Sequence, residues 1–170
     1  NGSFEDDGAN VLPADPITGW TKSANSKWGV NNDSPYQDSL DPAHSIDGSY
    51  WIEGYPDPDP TGEETYLYQD IDLTTNGMSL SNLDDGRYIA AFFVAVQQTA
   101  YLLDPPRFVA EMYDATGALV EVRDTDYFSL DKADVWRERA LVFPLLPTTR
   151  RIRFYLYAKR ADADITNVAF

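Results

Sequence analysis

Aromatic residues stand beside hydrogen-bonding residues in two parts of this sequence. In the segment 151–158, strand alternation directs Ile152, Phe154 and Leu156 toward a core. The opposite face then carries Arg151, Arg153, Tyr155 and Tyr157. The second part is the polar first half of the chain, where Trp28, Tyr36, Tyr50, Trp51 and Tyr55 occur among Asn31, Asn32, Asp33, Gln37 and Asp47. Flat rings stack on the C–H edges of sugar rings and planar polar groups bind paired hydroxyls, so both sets have the composition of a sugar site.

Each set also has a purely structural interpretation. Aromatic residues in the strands of a β-sandwich usually complete the core, and we expect Trp20 and Trp136 to do so. Both interpretations stay open at the level of sequence. If the sugar interpretation holds, the candidate ligand-binding residues are Trp28, Tyr50, Trp51, Tyr55, Arg153, Tyr155 and Tyr157.

A catalytic site is difficult to assemble from these residues. The chain has no cysteine and one histidine, His44, which lies in a turn-like segment. Cysteine nucleophiles and zinc sites built on several histidines are therefore excluded, and no serine lies in a G-x-S-x-G motif. A pair of carboxyl groups that hydrolyses glycosides needs one raised pKa, whereas most acids here lie in polar, loop-like segments. We predict that the protein is not an enzyme.

The charge is strongly acidic, with a formal net value of −15. Residues 1–86 account for it, because their only basic residues are Lys22 and Lys27. A negative surface repels the phosphates of nucleic acids and anionic lipids, so we expect no nucleic acid partner. No apolar run approaches the roughly 18 residues of a membrane span, which argues against membrane insertion.

The spacing of apolar residues predicts an all-β protein. The segments 66–73, 108–114, 118–123, 136–143, 151–158 and 165–170 resemble strands, and the turn at 115–117 favours a hairpin. Arg87 to Gln97 is apolar on both faces, which predicts a central strand covered on each side. About ten strands at this spacing indicate an all-β sandwich, with long loops in the first half. The length of 170 residues fits a single domain, 1–170.

Several short motifs in the right order resemble one family. They are N-G-x-F-E at 1–5, Gly-Trp at 19–20, L-x-Q-x-I-x-L at 67–73 and I-x-N-V-x-F at 165–170. The resemblance is to the galactose-binding-like jelly-roll domains, which include carbohydrate-binding modules. It implies a jelly-roll β-sandwich of two antiparallel sheets. It also implies a non-catalytic module, part of a larger extracellular protein, that targets or anchors that protein to a polysaccharide or cell-surface glycan. A fused catalytic domain is then an expected partner.

The same resemblance implies a structural calcium ion. Many members of the family hold one where the first and last strands meet. Glu5 matches the first ligand, and Thr166-Asn167 stands where the family more often has an aspartate. The candidates for the second ligand are the Asn167 amide, Asp6, Asp7 and Asp164. Loop carbonyls beside acids supply the hard oxygens that calcium needs. The alternative is that Glu5 is an ordinary hydrogen-bonded acid at a strand end.

A second hypothesis comes from another class of protein. Galactose-binding-like sandwiches also occur in virions, in which a phage tail, fibre or head-spike domain attaches to the host surface. Acidic, cysteine-free and loop-rich chains such as this one fit that class. The location is then the virion surface, and the partner is the virion assembly.

Overall fold

The computed structural model describes residues 4–7, 16–23, 28–32, 50–54, 64–75, 77–98, 105–130, 135–159 and 168–170. These residues form a 3-10 turn (Glu5–Asp7), one short helix, α1 (Leu80–Asp84), and ten β-strands. In chain order the strands are β1 (Thr21–Lys22), β2 (Trp28–Asn32), β3 (Tyr50–Gly54), β4 (Glu64–Asp72), β5 (Ile89–Gln98), β6 (Pro106–Tyr113), β7 (Leu119–Asp124), β8 (Arg137–Pro144), β9 (Arg151–Lys159) and β10 (Val168–Ala169). No helix in these ranges is long and apolar enough to cross a membrane.

The strands pair into two five-stranded antiparallel sheets. Sheet 1 has the order β1-β4-β9-β6-β7, and sheet 2 has the order β2-β3-β10-β5-β8. The two sheets enclose one hydrophobic core. The predicted all-β sandwich of two antiparallel sheets is therefore confirmed.

The core forms because apolar residues alternate along the strands. Sheet 1 contributes Phe108, Met112 and Phe154, and sheet 2 contributes Val30 and Phe92 among others. The ring centroids of Phe92 and Phe154 lie 4.2 Å apart, with an angle of 4° between the ring planes. This stack joins β5 to β9 across the interior of the sandwich.

The predicted hairpin between β6 and β7 is present. The Asp114 carboxylate accepts backbone hydrogen bonds from Thr116 at 2.8 Å and from Ala118 at 2.9 Å. Gly117 has a φ of +83°, which a side chain would disfavour. The turn fixes the register of β7 against β6 and so places Asp124 beside Val109.

The expectation that β5 is covered on both faces is wrong for the first half of the strand. The strand is central, between β10 and β8, but its outer face is uncovered from Ile89 to Phe93 and becomes buried only at Gln97. On this outer face Ile89 is 70% exposed and Phe93 is 74% exposed, next to Val142 of β8 at 56%. In a two-layer sandwich each sheet is covered on its inner side only. The apolar residues on both faces of this strand gave no indication that its outer side has no covering layer.

Candidate ligand-binding face

The outer face of sheet 1 carries four tyrosines from two neighbouring strands. On β4, Tyr66 lies opposite Tyr157 of β9, and Tyr68 lies opposite Tyr155. Opposed residues of an antiparallel pair point to the same face, so the four rings meet. Ring centroids are 5.1 Å apart for Tyr66 and Tyr157 and 5.5 Å apart for Tyr68 and Tyr155. We call Tyr66, Tyr68, Tyr155 and Tyr157 the tyrosine platform.

A row of charged residues borders the platform. Asp70, Arg153 and Glu111 lie opposite one another on β4, β9 and β6. Arg153 donates two hydrogen bonds to the Asp70 carboxylate, at 2.9 and 2.7 Å. Its guanidinium also lies 4.2 Å from the centroid of the Tyr68 ring, within cation–π range. The hydrogen bonds from Arg153 hold the pKa of Asp70 below its usual range, despite partial burial of the carboxylate.

Glu111 binds two tyrosines of this face through one oxygen. Its Oε2 accepts from the hydroxyl of Tyr113 at 2.5 Å and from that of Tyr155 at 2.7 Å. Tyr155 is only 8% exposed although it lies on the outer face. Burial, reinforced by the hydrogen bond to Glu111, raises the pKa of Tyr155. The phenol therefore stays protonated at neutral pH and remains a donor to the carboxylate.

At the other end of the platform, Arg107 is held by Asp124. Its Nε lies 2.9 and 3.1 Å from the two Asp124 carboxylate oxygens, and a terminal guanidinium nitrogen adds a further contact. The guanidinium lies 5.2 Å from the Tyr157 ring centroid and 5.4 Å from that of Tyr127. The hydrogen bond from Arg107 keeps the pKa of Asp124 low, and burial raises the pKa of Tyr157 to about 12. Near neutral pH Asp124 is therefore ionised, and Tyr157 stays protonated and uncharged.

The structure brings together three of the predicted site residues. Arg153, Tyr155 and Tyr157 share the outer face of sheet 1, as their alternation with Ile152, Phe154 and Leu156 indicates. Whether they contact a ligand stays a prediction.

Trp28 requires a correction. Its side chain is completely buried and its ring lies 5.6 Å from Phe170 in the core. It belongs to the packing of β2 against the last strand, and we remove it from the candidate ligand-binding residues. Tyr50 and Trp51 lie on β3 of sheet 2, with side chains outside the described part, and Tyr55 lies outside the described residues altogether.

Sequence reasoning did not select several residues of this face. They are Tyr66, Tyr68, Asp70, Arg107, Glu111, Tyr113 and Asp124. The alternation within 66–73 already places Tyr66, Tyr68 and Asp70 on one side of a strand. The missing information was that β4 pairs with β9, which sets that side beside Tyr155 and Tyr157.

The predicted calcium ligands remain untested. Glu5 lies in the 3-10 turn with its side chain outside the described part, and Asn167 is also outside it. Among the described side chains, no group of three or more acids or histidines is placed to hold a metal ion. The calcium site stays a prediction, and no part of the binding chemistry depends on it.

No protein-family model and no curated protein sequence matches this chain. Solved structures do match it along almost its whole length. A structure of carbohydrate-binding modules from the β-sandwich superfamily covers 99% of the chain with a TM-score of 0.57 at 14% identity. The second module of carbohydrate-binding family 16 covers 99% with a TM-score of 0.55 at 13% identity.

The fold is that of the β-sandwich carbohydrate-binding modules. The same fold occurs in the enzymatically active domain of tailspike protein 4 of bacteriophage CBA120, with 99% of the chain covered, a TM-score of 0.54 and 16% identity. The chain spans 20% of that tailspike chain and 58% of the first module structure, against 92% of the family 16 module. At these identities the likeness concerns the fold.

Proposed function

We propose that this domain is a non-catalytic carbohydrate-binding module that binds a polysaccharide or cell-surface glycan on the outer face of sheet 1. The observation that carries the proposal is the tyrosine platform with its bordering Asp70, Arg153 and Glu111. The fold, which is shared with modules described as carbohydrate-binding, supports it. The role of such a module is to target or anchor a larger protein, in an extracellular setting.

The platform has the parts that sugar recognition needs. Tyr66, Tyr68 and Tyr157 are partly exposed and offer ring surface to the C–H groups of a pyranose. Carboxylate oxygens of Asp70 accept hydrogen bonds from sugar hydroxyls, and the guanidinium of Arg153 supplies donors. The rings and guanidiniums already pack against one another, so little side-chain freedom is lost when a ligand binds.

The protonation states on this face support binding without hydrolysis. A glycosidase needs a carboxyl group that keeps its proton near neutral pH. The pKa values of Asp70, Asp72 and Asp124 are all lowered, by hydrogen bonds from Arg153, Thr74 and Arg107 respectively. These carboxylates accept hydrogen bonds from hydroxyls but hold no proton for a leaving group.

A second candidate function is attachment of a virion to a host surface. The likeness to the bacteriophage tailspike domain, which covers 99% of this chain, favours it. The two functions share the platform if the host glycan is the ligand. A stable trimer in light scattering of the whole protein would support the virion role, and a fused hydrolase would support the module role.

Affinity electrophoresis in gels that contain single polysaccharides tests the proposal. We expect the domain to be retarded by at least one polysaccharide, and Tyr68→Ala to remove most of the retardation. Phe93→Ala is the matched control, because Phe93 is an exposed aromatic residue on the outer face of sheet 2. A folded domain that migrates freely in every gel would contradict the proposal.

A further inference from the structure

Three arginines of sheet 1, Arg107, Arg151 and Arg153, are paired with carboxylates from neighbouring strands. Arg153 is bonded to Asp70 through two hydrogen bonds, and Arg107 is bonded to Asp124 in a similar way. A nitrogen of Arg151 lies 3.4 Å from the same Asp70 carboxylate. The positive groups nearest the tyrosine platform therefore already have anionic partners.

Asp70 occupies a special position among these partners. It is the carboxylate that both Arg151 and Arg153 approach, and it lies on β4 two residues beyond Tyr68. Arg153 in turn covers the Tyr68 ring, and Arg151 lies 4.3 Å from the centroid of the Tyr113 ring. Removing one negative charge at Asp70 would leave two guanidiniums beside the platform without this partner.

A ligand's own charge decides how it interacts with such a face. A uronate carboxylate is drawn to a free guanidinium, which binds it through two parallel hydrogen bonds. When the guanidinium is already paired, the incoming anion must displace the resident carboxylate and is repelled by it. An uncharged sugar meets no such repulsion, because its hydroxyls donate to the carboxylates and accept from the guanidiniums.

We propose that Asp70 sets the charge class of the ligand: by pairing with Arg153 and Arg151, it makes the face select uncharged polysaccharides and reject polyuronates. The inference rests on the proposed function and adds a specificity-determining residue to it. Asp70→Asn removes the carboxylate that both guanidiniums share and turns the same platform into a site that accepts anionic chains.

The net charge of −15 would also disfavour anionic ligands over the whole surface. A matched control separates the two effects. Asp85→Asn removes the same single charge and also releases an arginine, since Asp85 lies 2.9 Å from Arg87. That pair lies at the end of α1, outside the outer face of sheet 1. A general charge effect acts equally in both variants, whereas a local one appears only at Asp70.

The experiment measures dissociation constants of the whole domain for galactan, glucomannan and arabinoxylan as neutral probes, and for polygalacturonate and alginate as anionic probes. We expect the wild type to bind a neutral probe at least about tenfold more tightly than either anionic probe. Asp70→Asn should gain about tenfold for an anionic probe, and the gain should shrink when salt is raised from about 0.05 to 0.5 M. Asp85→Asn and the conservative Asp70→Glu should show no gain.

The outcomes separate this inference from the proposed function. A wild type that binds polyuronates as tightly as neutral chains overturns the inference and leaves carbohydrate binding intact. An equal gain in Asp70→Asn and Asp85→Asn, or no gain in either, overturns it as well. A wild type that binds no probe overturns both this inference and the proposed carbohydrate binding. Thermal melting verifies that each variant is folded, and Asp70→Ser provides a second charge-removing variant if the asparagine variant melts early.

Discussion

The hydroxyl of Tyr155 donates a 2.7 Å hydrogen bond to Oε2 of Glu111, across the pair β9 and β6. The same oxygen accepts from Tyr113, so one carboxylate holds two phenols. The ring of Tyr155 lies within 5.6 Å of the rings of Tyr66 and Tyr68. Glu111 therefore positions the centre of the tyrosine platform without being part of its aromatic surface.

Replacement of Glu111 should destabilise the domain and weaken binding together. Hydrogen bonds to a charged group contribute about 1.5–3 kcal/mol, so we expect Glu111→Ala to lower the free energy of unfolding by about 2 kcal/mol. Glu111→Gln should lose less stability, since its amide oxygen still accepts a hydrogen bond from the Tyr155 hydroxyl. Urea denaturation measures the free energy of unfolding, and calorimetric titration with the polysaccharide measures the affinity. An alanine variant as stable as the wild type would show that the carboxylate does not hold the two phenols.

Tyr68 should contribute directly to affinity. Its ring is partly exposed and is held in place by Arg153 at 4.2 Å. We expect Tyr68→Ala to cost about 1–2 kcal/mol of binding free energy, which is roughly a 5–30-fold rise in Kd. Phe93→Ala, on the outer face of sheet 2, should leave Kd unchanged. If the Phe93 variant lost affinity and the Tyr68 variant kept it, the site would lie on the other sheet.

The faces of individual strands were predictable from the sequence. Side chains alternate along a strand, so the order of residues in 66–73 and 151–158 is enough to separate core residues from outer ones. The partners across strands were not predictable. Asp70 and Arg153 are 83 residues apart in the chain, and no local pattern encodes that pairing. The sequence therefore indicated two separate strands with outward-facing tyrosines, but not that the two strands pair.

The two wrong expectations have a common cause. Trp28 lies among polar residues, and Phe93 lies in an apolar run, so local composition suggested an exposed Trp28 and a covered Phe93. The structure shows the reverse, with Trp28 fully buried and Phe93 74% exposed. Burial is decided by which face of the sheet meets the other layer, and neighbouring residues in sequence alternate between those faces.

Trp28 provides a test of that correction. Because its side chain fills the core against Phe170, we expect Trp28→Phe to reduce the free energy of unfolding by about 1–3 kcal/mol through lost packing. The affinity of the folded variant for polysaccharide should be unchanged, since the ring does not reach the outer face of sheet 1. A large rise in Kd with intact stability would return Trp28 to the ligand-binding residues.

A calcium ion bound as the resemblance implies would have a measurable effect on stability. An ion that binds only the folded state at a hundredfold excess over its Kd stabilises that state by about 2.7 kcal/mol. For a domain of this size this corresponds to roughly 6–10 °C in melting temperature. We expect EDTA to lower Tm by several degrees, calcium to restore it, and Glu5→Gln to abolish most of the difference. If EDTA leaves the Tm of the calcium-replete wild type unchanged, the predicted calcium site is wrong.

Alkaline pH should destabilise the domain through its buried and half-buried phenols. Burial raises the pKa of Tyr157 from 10.0 to about 12, and it also raises the pKa values of Tyr155 and Tyr127. Below about pH 10 these phenols are protonated in both states, and their contribution to stability is complete. Between about pH 10 and 12 the unfolded chain loses protons that the folded protein keeps, so stability falls as the pH rises.

Urea denaturation at several pH values and the ultraviolet absorbance of the phenolates measure this effect together. We expect some tyrosines to ionise only above pH 10, along with a fall in the free energy of unfolding over the same interval. Tyr157→Phe should make that fall shallower, because phenylalanine has no proton to lose. Polysaccharide affinity should be constant between about pH 6 and 9, since the phenols stay neutral there. A single titration of all tyrosines near their ordinary pKa, with no change in stability, would contradict the burial of Tyr155 and the partial burial of Tyr157.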